Sequence, residues 1–317
     1  AAPSGTRSAS KATASAIHSG VDLGSSVALG AKVVAYVRSS GAVAGDSSFI
    51  ASKLKTTLNE GLKQARAGEG DVVVVMPGHA EDISAADQMS ALVAGTRIVG
   101  VGYGMQRPTF TWTAAGATFL LDVANVTIEN CVLIMATADN SGVTVAAPIT
   151  VSAAGCGILG CDVRFGDDAN DIVTIGVTTT ADADDFSFIG NRCYGAVAAE
   201  CTTFLRLVGS DRFVMKDCYI DGATSSTTVG VVQMLTTASL QVLIEGCSFA
   251  NRKASSVHAA TGMAASTGLV KDCAFHILDT ATLAGWETEG DLAFHGCTTT
   301  NLAGEAGGVK VPTSTVT

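Results

Sequence analysis

From about residue 98 to the C-terminus, apolar and polar positions recur as a short block rather than at helical spacing. Each block reads as an apolar residue, a spacer, then Asn, Asp or Gly, usually Cys, another spacer and an apolar residue. The copies are Ile128-Glu-Asn-Cys131, Ile158-Leu-Gly-Cys161, Ile189-Gly-Asn-Arg192, Met215-Lys-Asp-Cys218, Ile244-Glu-Gly-Cys247, Val270-Lys-Asp-Cys273 and Phe294-His-Gly-Cys297. Ile98-Val-Gly-Val101 is an eighth copy with Val in the Cys slot. The first apolar residues are separated by 30, 30, 31, 26, 29, 26 and 24 residues, a repeat with loops of varying length.

Asn, Asp and Gly tolerate a left-handed backbone, so each block predicts two strands joined by a sharp corner. A single block cannot bury its own apolar face. Stacked blocks can, with each strand pairing in parallel to its copies above and below. The expected fold is all-β: a right-handed parallel β-helix of about 8–10 rungs, spaced about 4.8 Å apart, with an N-terminal capping α-helix.

Ahead of the repeat, Lys32–Val37 predicts a strand, and residues 47–67 predict one amphipathic helix. Ile50, Leu54, Leu58 and Leu62 recur there at steps of four, and Gly68 stands where a C-terminal cap belongs. This helix is expected to plug the open end of the solenoid, which otherwise exposes an apolar interior and a free edge. Gly70–Gly78 predicts a strand closed by a Pro-Gly turn. The organisation expected is an extended arm over 1–31, a strand and capping helix over 32–70, and the β-helix over 71–317.

Six cysteines, Cys131, Cys161, Cys218, Cys247, Cys273 and Cys297, share the slot after the corner. In the fourth copy Arg192 takes the slot and Cys193 follows, which suggests a wider corner there. Residues in one column stand about 4.8 Å apart with parallel side chains, whereas a disulfide needs Cβ atoms about 3.5–4.5 Å apart and inclined together. A ladder of buried free thiols, suited to a reducing compartment, is therefore expected. There is no Cys-x-x-Cys pair, and no metal or cofactor is expected.

Charge divides the chain. Residues 1–66 carry eight Lys/Arg and three Asp/Glu, while residues 67–317 carry eleven and twenty-six. An acidic body argues against nucleic-acid binding, and the basic N-terminal region either docks on an acidic partner or is a solvated arm whose charges do nothing. No apolar run is long enough to span a bilayer, and residues 1–30 lack the continuous apolar core of a signal peptide.

A strand, a loop, an amphipathic helix and Gly70-Asp-Val-Val-Val-Val-Met-Pro-Gly78 leading into Asn-cornered rungs resembles the pectate-lyase-like β-helix superfamily over about residues 32–300. More narrowly, Met76-Pro-Gly-His79, Val99-Gly-Val-Gly-Tyr-Gly104 and Arg107-Pro-Thr-Phe-Thr111 are similar to β-helix virion proteins of tailed bacteriophages. That resemblance implies a non-enzymatic structural protein, folded in the host cytoplasm and placed on the capsid surface as a decoration or cement protein. Its N-terminal region would contact the major capsid protein or another virion protein. The alternative is a tailspike or tail fibre that binds or cleaves host polysaccharide.

Enzymes of the superfamily that act on acidic polysaccharides use carboxylate clusters, with or without calcium. The candidates here are Asp167, Asp168 and Asp171, then Asp182, Asp184 and Asp185. Acidic residues in Gly/Ala/Thr-rich loops more often keep a loop solvated. Sugar platforms are sparse, with Trp112, Trp286 and four Tyr in the chain. His79, His258, His276 and His295 read as surface or packing residues. Consecutive apolar residues at 72–76, 119–121, 132–135 and 231–232 with 234–235 imply burial on both strand faces; lateral packing into the homotrimer that the phage resemblance implies is the expected cover, with long cross-rung loops as the competing explanation.

Overall fold

The computed structural model describes residues 32–41, 48–135, 145–166, 173–195, 201–225, 229–235, 237–253, 258–262, 265–277, 284–287 and 291–301. The expected arm over 1–31 lies outside them. The described chain is a parallel β-helix, consistent with the right-handed β-helix superfamily, built of three sheets with 11, 9 and 7 strands. In a typical rung, Thr127–Glu129 belongs to the first sheet, Val132–Ile134 to the second and Ile149–Val151 to the third, after which Gly157–Leu159 returns to the first. Every pairing between these strands is parallel. Seven turns contribute to all three sheets, and the first and second continue beyond the third toward the N-terminus.

The inward column of the first sheet runs Val73, Ile98, Ile128, Ile158, Phe188, Met215, Ile244, Val270 and Phe294. The fourth copy of the repeat is therefore anchored on Phe188, not Ile189. Asn191 occupies the Cys slot, and Cys193 points inward on the second sheet between Val163 and Ile220. The corner is no wider than the others. A one-residue slip exchanges the inward and outward faces, and burial of Phe188 and Cys193 selects this register.

Two left-handed corners bracket the first-sheet strands. After the strand, Asn130, Gly160, Gly190, Asp217, Gly246, Asp272 and Gly296 have φ between 51° and 66°. Before it, Gly70, Gly95, Asn125, Gly155, Asp185, Arg212 and Gln241 have φ between 54° and 82°. Each column is stitched by N–H donors to the following rung, such as Asn130 N–H to Leu159 O at 2.9 Å and Asn125 N–H to Ala154 O at 2.9 Å. In the first copy Gly100 is an ordinary strand residue. Glycine is required there by proximity, because a Cβ would stand 2.5 Å from the Asn130 carbonyl oxygen.

The interior is one apolar cluster along the rod. Phe249 stacks on Phe275 with ring centroids 5.4 Å apart, and Phe165 meets Phe204 edge-on at 4.4 Å. Glycines make room for these rings: a Cβ at Gly176 would fall 2.0 Å from Phe165, and one at Gly222 would fall 2.0 Å from Phe204. Trp112 is buried and donates its Nε1–H to Pro148 O at 3.1 Å.

The single helix expected over 47–67 is instead two short helices, Ser48–Lys53 and Leu58–Leu62, separated by the two-residue strand Leu54–Lys55. Leu54 and Lys55 pair with Tyr36 and Val37 at the edge of the first sheet. Strand pairing interrupts the helix, and Thr57 restarts it as an N-cap, its side chain accepting Glu60 N–H while Glu60 reaches back to Thr56 N–H at 3.2 Å. Leu58 and Leu62 are buried in the same cluster as Ala35, Val37 and Val73, whereas Ile50 and Leu54 are only partly buried. Gly61 permits that approach, since a Cβ there would stand 2.7 Å from the Val37 side chain.

Candidate functional site

All nine cysteines are buried and unpaired. In the corner column each sulfur lies near the carbonyl two residues earlier: Cys131 with Glu129 O at 3.4 Å, Cys218 with Lys216 O at 3.1 Å and Cys273 with Lys271 O at 3.2 Å. The thiol serves as a weak donor to a corner carbonyl and a small apolar filler. Burial pushes Cys131 well above its ordinary value and Cys161 up to about 11. Contact with Cys218, followed by burial, pushes Cys247 up to about 12. Reactive thiolates have the opposite tendency, so the column suits packing rather than nucleophilic chemistry.

Asn191 replaces a thiol in this column and is fully buried. Its Oδ1 accepts Cys161 N–H at 2.8 Å, and its Nδ2 donates to Ile158 O at 2.7 Å. Sequence reading missed this residue because the neighbouring Ile189-Gly190 imitates the start of a block.

Of the two acidic clusters, Asp167, Asp168 and Asp171 lie outside the described residues. Asp184 and Asp185 are held by Arg212 from the next rung, with Arg212 Nε 2.7 Å from Asp185 Oδ1 and Nη2 3.2 Å from Asp184 Oδ2. The Arg212 hydrogen bonds lower the Asp185 carboxyl below its ordinary range. Asp182 is exposed and lies in the same turn region. This is a cross-rung ion-pair clasp. Among the described residues, no group of three or more His, Cys, Asp and Glu side chains is placed to hold a metal ion.

The outward face of the second sheet carries Arg164, Arg192, Tyr194, Tyr219, Asp221 and His276 on neighbouring rungs. The Arg164 guanidinium lies 5.7 Å from the centroid of Tyr194, and Tyr219 Oη donates to Asp221 at 2.7 Å. Arg252 also clasps Asp221. This surface gathers two of the chain's four tyrosines, while Trp112 and Trp286 are both buried. Position along successive strands, rather than any local motif, creates it. Arg107 secures the adjacent loop by donating to Cys131 O and Gly160 O at 2.8 Å each and pairing with Asp162 at 3.1 Å. Tyr103 and Met105 project from that loop, fully or largely exposed.

The outward face of the first sheet differs. Leu159, Ile189, Val214, Leu243 and Leu269 stand there partly exposed. Each cation on this face has a carboxylate partner: Arg97 with Glu129 at 2.7 Å, Lys216 with Glu245 at 2.8 Å and Lys271 with Glu245 at 3.0 Å. Toward the N-terminus, Val72, Val74 and Val99 form a separate outer apolar cluster with Val33, Tyr36 and Met76. Val72, Val74 and Val99 are buried within the single chain, so the apolar run at 72–76 does not by itself require a neighbouring molecule.

Comparison of the chain with protein-family models, curated proteins and solved structures found no match in any of the three.

Proposed function

We propose that this chain is a non-enzymatic structural protein of a tailed-bacteriophage virion, a capsid decoration or cement protein whose β-helices associate laterally as homotrimers. The observation that carries this reading is the first-sheet outer face. Its aliphatic residues stand in two adjacent columns, Leu159 and Ile189 in one and Val214, Leu243 and Leu269 in the other, on a face whose cations are paired within the chain. Symmetric packing brings related faces of identical molecules together, and internally paired charges reduce like-charge repulsion. Burying these aliphatic residues supplies the attraction. In this reading the basic N-terminal region grips the capsid protein, and the rods add contact area across the shell.

Mass measurement in solution, alongside the variant Leu243→Glu/Leu269→Glu, tests the association. The expected result is three chains of 31.9 kDa for the wild type and a monomer for the variant. A monomeric wild type at micromolar concentration overturns the trimer. Electron microscopy of phage particles labelled with antibody against residues 150–300 tests the location. Label over the head supports decoration, and label confined to the tail overturns it.

A second reading, a tailspike or tail fibre that binds or cleaves host polysaccharide, is favoured by the second-sheet face. Tyr194 and Tyr219 provide rings against which sugars can pack, and Arg164 and Arg192 provide cations for acidic groups. Tail labelling together with polysaccharide binding that Tyr219→Ala abolishes would select this reading.

A further inference from the structure

The second sheet begins at Ala80–Ile83, a strand paired on one side only, with Thr109–Trp112. Its register directs Glu81 into the inward column continued by Phe110, Leu133 and Val163. A carboxylate thus stands in an otherwise apolar part of the wall. Glu81 Oε2 accepts Leu58 N–H at 2.7 Å and lies 3.0 Å from His79 Nε2. The two side chains are 0% and 8% exposed for His79 and Glu81 respectively. Yet His79 Nδ1 and Glu81 Oε1 are buried without a hydrogen-bond partner. Leaving buried polar atoms unsatisfied is unfavourable, and an all-apolar pair would avoid it.

The helix held by this pair is only one turn long. Leu58–Leu62 packs onto the interior end at Val37 and Val73, and a helix of this length is not stable without such support. Asn59 adds a second attachment, accepting Ala91 N–H at 3.0 Å. We propose that His79 and Glu81 are a polar latch that fixes Leu58–Leu62 in one position as a lid over the N-terminal mouth. Apolar contact can hold a lid in several positions, whereas the Leu58 N–H to carboxylate bond selects one. This inference is independent of the virion assignment.

The test is native-state hydrogen exchange on the full chain with His79→Leu/Glu81→Leu. The variant removes the latch together with both unsatisfied atoms. Leu58 N–H is expected to exchange at least about tenfold faster, while protection at Ile128 and Ile158 stays the same or rises. Unchanged Leu58 exchange or equal loss of protection throughout the rod overturns the proposal. If that variant does not fold, Glu81→Gln provides the decision: its amide oxygen is a weaker acceptor, so Leu58 should exchange several-fold faster with the core unaffected, and unchanged Leu58 exchange overturns the latch.

Discussion

Asn191 accepts the backbone N–H of Cys161 through Oδ1 at 2.8 Å, one rung away and wholly inside the corner column. Its amide also satisfies Ile158 O. Replacement by Ala leaves a buried donor and acceptor unpaired, so Asn191→Ala should lose about 2–4 kcal/mol in denaturant titration. Asn191→Cys should recover part of the loss. The adjacent rung shows why, since Cys131 N–H lies 3.5 Å from Cys161 Sγ in an equivalent role. Equal destabilisation by Ala and Cys would mean that volume, rather than hydrogen bonding, governs the slot.

The thiols should be unreactive until the rod opens. Burial raises Cys161 to about 11, and contact with Cys247 followed by burial raises Cys273 to about 12. Near pH 8 both are protonated as well as inaccessible. Labelling of the native protein should therefore be at least about a hundredfold slower than labelling in denaturant. Mass spectrometry of partly labelled protein checks this, and rapid native modification at Cys161 or Cys273 would contradict the packing.

Gly222 tests the interior packing without the complication of a left-handed backbone. A Cβ there would overlap the Phe204 ring at 2.0 Å. Gly222→Ala should destabilise the protein by roughly 1–3 kcal/mol or more. Phe204→Leu alone should also destabilise it, but the double variant should cost less than the sum of the two. Additive losses in the double-mutant cycle would show that the glycine is present for another reason.

Acid should release the ion pairs that Glu245 makes on the first-sheet face. Hydrogen bonds from Lys216 and Lys271 lower Glu245 to about 2, below an ordinary glutamate value of about 4.3. Because the folded value is lower than the unfolded one, the contribution is present above the unfolded value and is lost as pH falls from about 4 through about 2. The stability difference between wild type and Glu245→Gln should be small at pH 7, shrink further in salt and vanish below about pH 2. A difference that grows on acidification would invalidate the assignment.

Much of the parallel stack was legible because Asn, Asp, Gly and Cys recur beside apolar anchors, as at Ile128-Glu-Asn-Cys131 and Ile244-Glu-Gly-Cys247. The slip at Ile189 arose because two adjacent apolar residues, Phe188 and Ile189, both fit the start of a block. Cys193 resolves it in three dimensions by taking the inward place between Val163 and Ile220. The other left-handed column was missed because Arg212 and Gln241 adopt conformations imposed by adjacent rungs and carry no turn signal of their own. Helical periodicity at Ile50, Leu54, Leu58 and Leu62 was real, but pairing of Leu54 with Tyr36 outweighed it. The surface around Tyr194 and Tyr219 was hidden because its residues come from separate rungs and meet only through register.

The pair of left-handed columns also makes the rod a ruler. From three residues before each first-sheet anchor to the inward second-sheet residue five places after it, spacing is constant from Ile128 through Ile244, while the remaining connections vary in length. Any surface that docks along the first sheet meets chemical groups graduated at about 4.8 Å, and a change in loop length leaves those graduations unmoved. Such a scaffold can acquire new protrusions while preserving the pitch that its first sheet presents.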